Sequence, residues 1–127
     1  MNTGRAGHVC GSLQDGTPFI AGGRGGRFQN DVIKNGGVEI FNTDYGFWDF
    51  ADHQLPVEEV RNGFLLYDDI GDVYIAGGRE SSEVATVLKL SNEGWRVMDW
   101  RLPRPQSTYK ESYTHIPGTT TYNCGEL

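Results

Sequence analysis

Cysteine is scarce in this chain: Cys10 and Cys124 stand alone, with no CxxC pair and no spacing that suggests a disulfide framework or a zinc ribbon. Together with the lack of an apolar leader-like stretch in the first residues, that scarcity favours a reducing, intracellular compartment, so a cytoplasmic location is expected. Basic residues are also few, eleven against seventeen acidic ones for a net charge of −6. A broad phosphate-binding surface needs clustered Lys and Arg, so no nucleic acid partner is expected. Long apolar runs are missing too. The longest, such as residues 64–67 and 73–76, fall far short of the roughly 20 needed to span a bilayer, and the segment MNTGRAGHVCGSL has no continuous apolar stretch of the kind a secretory leader carries. No membrane partner is expected.

Glycine is what the chain has in excess, 18 in 127 residues, about twice the usual share of roughly 7%. The glycines lack the spacing of collagen and gather at the ends of apolar runs, as short strands joined by tight turns require. With 37% hydrophobic and 12% aromatic residues, there is enough material for one packed domain of ordinary size. The composition predicts an all-β fold.

The chain also repeats itself. Ile20-Ala21-Gly22-Gly23-Arg24 recurs 55 residues later as Ile75-Ala76-Gly77-Gly78-Arg79. Upstream, Arg5-Ala6-Gly7-His8 aligns with Arg61-Asn62-Gly63-Phe64 at an offset of 56. Downstream, Val38-Glu39-Ile40-Phe41-Asn42 aligns with Val87-Leu88-Lys89-Leu90-Ser91 at 49, and Trp48 with Trp95 at 47. The offsets shrink because the segment after the first Gly-Gly, 24–37, is longer than its counterpart. Each copy reads as four short strands, which in the second copy are 62–67, 72–76, 85–90 and 95–98. Val73, Tyr74 and Ile75 are apolar on both faces, and a strand of that kind lies inside something. A four-stranded sheet of about 50 residues that leaves its own faces uncovered must stack on another like it.

The order Arg-x-Gly, strand, Asp-Gly or Gly-Asp, apolar strand, Gly-Gly, variable loop, Val-Glu-x-aromatic-Asn and then Trp resembles the kelch repeat. The resemblance covers residues 5–103 as two consecutive repeats, with Leu90 and Phe64 departing from the first copy's Phe41 and His8. It implies two four-stranded antiparallel blades of a kelch-type β-propeller, an incomplete ring. Residues 1–50 form the first repeat, 51–103 the second, and 104–127 the start of a third repeat or a C-terminal tail. Residues 109–116 are the candidate for that third innermost strand. Two blades do not close a ring, and this leaves three readings: a fragment of a longer kelch protein, which leads; a chain whose copies self-associate into a ring; or strands lent to another protein.

Roles follow for the repeated residues. Gly22, Gly23, Gly77 and Gly78 end buried strands where a missing Cβ permits positive φ and close approach. Trp48 and Trp95 are read as core fillers that seal one sheet on the next. Arg5 and Arg61 have two readings, a structural salt bridge or backbone bond and a contact at the channel mouth, with the structural one ahead. The family pattern implies a partner-binding rim built from the loops 24–37 and 79–84 and the connectors 51–60 and 101–107. There Arg24, Arg27, Phe28, Asn30, Arg79, Glu80, Ser81 and Ser82 supply bidentate, adaptable and apolar contacts for an acidic or mixed-polarity peptide. The implied function is protein–protein interaction, as in substrate recognition for a ubiquitin ligase adaptor or an actin-associated scaffold. The alternative is a piece of a propeller enzyme of the galactose-oxidase-like kind.

Other patterns weigh less. Residues 22–27 resemble an Arg-Gly-Gly tract but fit neither GxGxxG nor GxxxxGK[ST], and no helix pattern follows to receive a phosphate. His8, His53 and His115 show no metal-ligand spacing. No GxSxG occurs, and the pairs Glu58-Glu59 and Asp68-Asp69 read as solvated turns. No cofactor, metal or enzymatic activity is expected.

Overall fold

The computed structural model describes residues 4–25, 31–32, 37–57, 60–79, 82–107 and 119–122, with backbone only at 31–32 and 119–122. Among them there are strands and turns and no helix, and so no helix long and apolar enough to cross a membrane.

Two four-stranded antiparallel units account for most of the chain. The first runs β2 (Val9–Ser12), β3 (Pro18–Ala21), β6 (Glu39–Asn42) and β7 (Phe47–Phe50), neighbours in that order. The second runs β8 (Phe64–Asp68), β9 (Val73–Ala76), β10 (Val87–Ser91) and β11 (Gly94–Val97). A fifth strand, β12 (Thr119–Tyr122), joins the free edge of β8. A small sheet of β1 (Arg5–Ala6), β4 (Arg24–Gly25) and β5 (Asp31–Val32) sits beside the first unit. The four strands of the second unit fall within two residues of their sequence-based bounds. The described strands do not close a ring, and residues 109–116, the candidate third innermost strand, lie outside the described residues.

The two units are built alike down to their turns. Leu13 and Thr17 close the β2–β3 turn as Asp68 and Asp72 close the β8–β9 turn. Gly16 and Gly71 take φ of 90° and 89° at matching places. Val9 pairs with Ala21 as Phe64 pairs with Ala76. These matches keep an offset of 55 from residue 6 onward, and this corrects the alignment of the Arg-x-Gly segments at 56. Ala6 pairs with Arg24 as Arg61 pairs with Arg79, so Arg61 corresponds to Ala6 and Arg5 corresponds to Val60. Gly7 and Asn62 then coincide, and both have positive φ, 71° and 54°. Phe64 accordingly replaces Val9 and not His8. The backbone requires a left-handed residue here, and asparagine provides one where glycine is absent.

The core lies between the units. Val9, Phe19, Ala21 and Val38 of the first meet Leu65, Val73, Ile75, Leu88 and Trp95 of the second, all buried. Phe19 and Trp95 pack across the gap in a tilted arrangement with ring centroids 6.1 Å apart. At the inner strands, a Cβ on Gly11 would stand 2.1 Å from Leu65 and 2.7 Å from the Tyr67 hydroxyl, so only glycine lets β2 and β8 approach this closely. The Tyr67 hydroxyl spans that approach, donating to the Ser12 carbonyl at 2.6 Å and accepting from the Ser12 N–H at 2.9 Å. The far face of the second unit carries a smaller cluster, Phe64, Leu66, Ala76 and Val87, covered by Leu102 from the segment after β11.

One sequence expectation is overturned. Cys10, read as an isolated thiol, is disulfide-bonded, and no cysteine is free among the described residues. Cys124 lies outside those residues. The argument from cysteine usage to a reducing compartment falls with this finding.

Candidate functional site: loop rim and inter-sheet cleft

Both Gly-Gly pairs sit at the ends of buried strands, with φ of 72° and 92° at Gly22 and Gly23 and 66° and 95° at Gly77 and Gly78. A Cβ at Gly22 would lie 2.2 Å from the Val60 carbonyl oxygen, and one at Gly77 would lie 2.5 Å from that of Gln106. Gly23 donates its N–H to the same Val60 oxygen at 2.6 Å, as Gly78 does to Gln106 at 2.8 Å. Each glycine pair therefore holds the connector leading out of its own sheet. Leu55 and Leu102 anchor these connectors from inside.

Beyond the glycines, each loop is tied at its base. Arg24 pairs with Ala6 and Val32, and Arg79 pairs with Arg61 and Glu83. The Arg61 N–H reaches the Arg79 oxygen at 3.3 Å and the Arg79 N–H returns to the Arg61 oxygen at 2.8 Å. Arg24 and Arg79 are half-buried and Ser82 is exposed. Arg27, Phe28, Asn30, Glu80 and Ser81 of the expected rim lie outside the described residues.

Arg5 is committed inside the first unit. Its side chain and that of Glu39 are both fully buried in an ion pair at 2.5 Å, and its guanidinium also donates to the carbonyls of Gly22, at 3.0 Å, and Gly37. Burial pulls the Arg5 pKa below its ordinary value, and Glu39 opposes that shift. Burial, aided by the Arg5 charge, also lowers the pKa of His8, whose Nδ1 has no hydrogen-bond partner. Trp95 seals the inter-sheet core, whereas Trp48 packs in a tilted arrangement against Phe41 of its own sheet, with ring centroids 5.3 Å apart.

Sequence reasoning missed a cleft of about 620 Å³ that opens where the two units splay apart. Val38 and Ile40 form one wall and Val73, Leu90 and Trp95 the other. Its mouth is polar, with Gln14 and Asp15 from the β2–β3 turn, Asp52 and His53 after β7, Asp72 and Lys89 beside β9, and Asn92 from the β10–β11 turn. Asp72 and Lys89 form an ion pair at 3.3 Å. The Asp15 carboxyl accepts the Thr17 N–H at 2.9 Å, which holds its pKa below the usual carboxylate value. These groups come from four separate segments, so no local motif announces them. Among the described residues, no group of three or more His, Cys, Asp or Glu side chains is placed to hold a metal.

A scan against protein-family models, a search of the curated proteins and a search of the solved structures each found no match to this chain.

Proposed function

We propose that the chain is a pair of kelch-type propeller blades serving as a protein-interaction module, with a partner's acidic or mixed-polarity peptide bound on the loops that follow the Gly-Gly strands. One observation carries the reading: both loops leave their sheets through the same backbone pairing, Ala6 with Arg24 and Arg61 with Arg79. Recognition loops fixed at the base on rigid sheets pay less ordering entropy on binding. The kelch resemblance supports two settings, substrate recognition for a ubiquitin ligase adaptor and an actin-associated scaffold. Further blades, or other copies of the chain, would complete the ring.

The test is binding of a labelled acidic peptide to the wild type and to the Arg27→Glu/Ser82→Glu variant. The reading expects at least a fivefold loss of affinity with the far-UV spectrum unchanged. Equal affinity in a folded variant overturns it.

A further inference from the structure

The inter-sheet cleft has apolar walls beneath a polar mouth. Its walls are Val38, Ile40, Leu90 and the partly accessible edge of Trp95, which is 7% exposed. Its volume lies within the roughly 300–1,000 Å³ usual for ligand sites. The charges at its mouth are unbalanced. Asp72 and Lys89 neutralise each other, and among the described residues Asp15 and Asp52 have no cationic partner. Asp15 is kept ionised by the Thr17 N–H, and the chain as a whole carries −6. An apolar slot flanked by two uncompensated carboxylates favours a ligand that brings cationic heads on apolar stems. Arg and Lys side chains beside leucine-like residues have that chemistry.

We propose that this cleft is a second docking site, separate from the loops after the Gly-Gly strands, that takes a basic, apolar-flanked peptide segment of a partner protein. Apolar side chains enter between Ile40 and Leu90, and a cationic side chain on either flank meets Asp15 and Asp52.

The experiment uses two fluorescein-labelled peptides, one alternating Leu and Arg and one alternating Leu and Glu, titrated by anisotropy at two salt concentrations. The basic peptide is expected to bind saturably, at least tenfold tighter than the acidic one at this site, and to weaken as salt rises. In the variant Asp15→Asn/Asp52→Asn, the amide oxygen at residue 15 can still accept the Thr17 N–H, so the turn is retained. That variant is expected to lose about fivefold to tenfold in affinity for the basic peptide. Arg27→Glu/Ser82→Glu is expected to leave that affinity unchanged, which separates failure here from failure of the rim. No saturable binding of the basic peptide, equal binding of the two peptides by the Arg27→Glu/Ser82→Glu variant, or undiminished binding of the basic peptide in the folded Asn variant each overturns the proposal.

Discussion

The two sheets solve one packing problem in opposite ways. At matching places in the frame, the first buries the charged pair Arg5 and Glu39, and the second buries the apolar pair Val60 and Leu88. Ile20 opposes Glu39 in the first ladder as Ile75 opposes Leu88 in the second. Identical backbone therefore accommodates either chemistry, provided both members of the pair change together. The charged version has an added task, because Arg5 also ties down the carbonyls of Gly22 and Gly37. The apolar version merges into the shared core between the sheets.

The largest expected effect comes from making that exchange halfway. Glu39→Leu alone strands the Arg5 charge in the interior and is expected to cost about 3–5 kcal/mol of unfolding free energy. Adding Arg5→Val, which recreates the pairing of the second sheet, is expected to restore most of that loss, short of the two carbonyl bonds. Urea unfolding of the two single variants and the double variant gives the coupling, and additive losses would show that the two positions are not equivalent.

A smaller effect separates crowding from dihedral strain. Gly22→Ala places a methyl against the Val60 carbonyl and is expected to cost about 3 kcal/mol, whereas Gly16→Ala, in open space at a similar φ, is expected to cost about 1 kcal/mol. Equal losses in thermal or urea melts would mean that the connector shifts freely away from the glycine pair.

The smallest effect depends on pH. His8 occupies the place that Gly63 holds in the second sheet, and only the first sheet carries a titrating group there. Its folded pKa lies below the ordinary 6.5, so between the two values the unfolded chain binds the extra proton. The contribution is therefore fully present above about pH 6.5 and is lost as the pH falls from there through the folded pKa. Urea midpoints at pH 7.5 and 5.5 are expected to drop in the wild type and to drop less in His8→Gln. A matching drop in both assigns the pH dependence to other groups.

Much of the frame was legible because it repeats. The Ile-Ala-Gly-Gly-Arg segments marked the ends of β3 and β9, and the paired strands followed at the expected spacing. The slip in the Arg-x-Gly segments arose because alignment matches residue identity, whereas the backbone selects for left-handed φ, which Asn62 satisfies as Gly7 does. The Cys10 disulfide was invisible because two isolated cysteines carry no spacing signal. The bases of the loops after Gly-Gly were readable from the repeat. The cleft was not, since Asp15, Asp52 and Trp95 come to line it together only through the tertiary stacking of the sheets.

The Tyr67 hydroxyl, bonded to both backbone groups of Ser12, acts as a dowel at the inner edge where Gly11 brings the strands together. A fastening at one margin forbids sliding of one sheet along the other and leaves rotation about that margin as the softest relative motion. The two sheets are thus bound along one side like the covers of a book, and that binding keeps the register in which Phe19 and Trp95 meet between them.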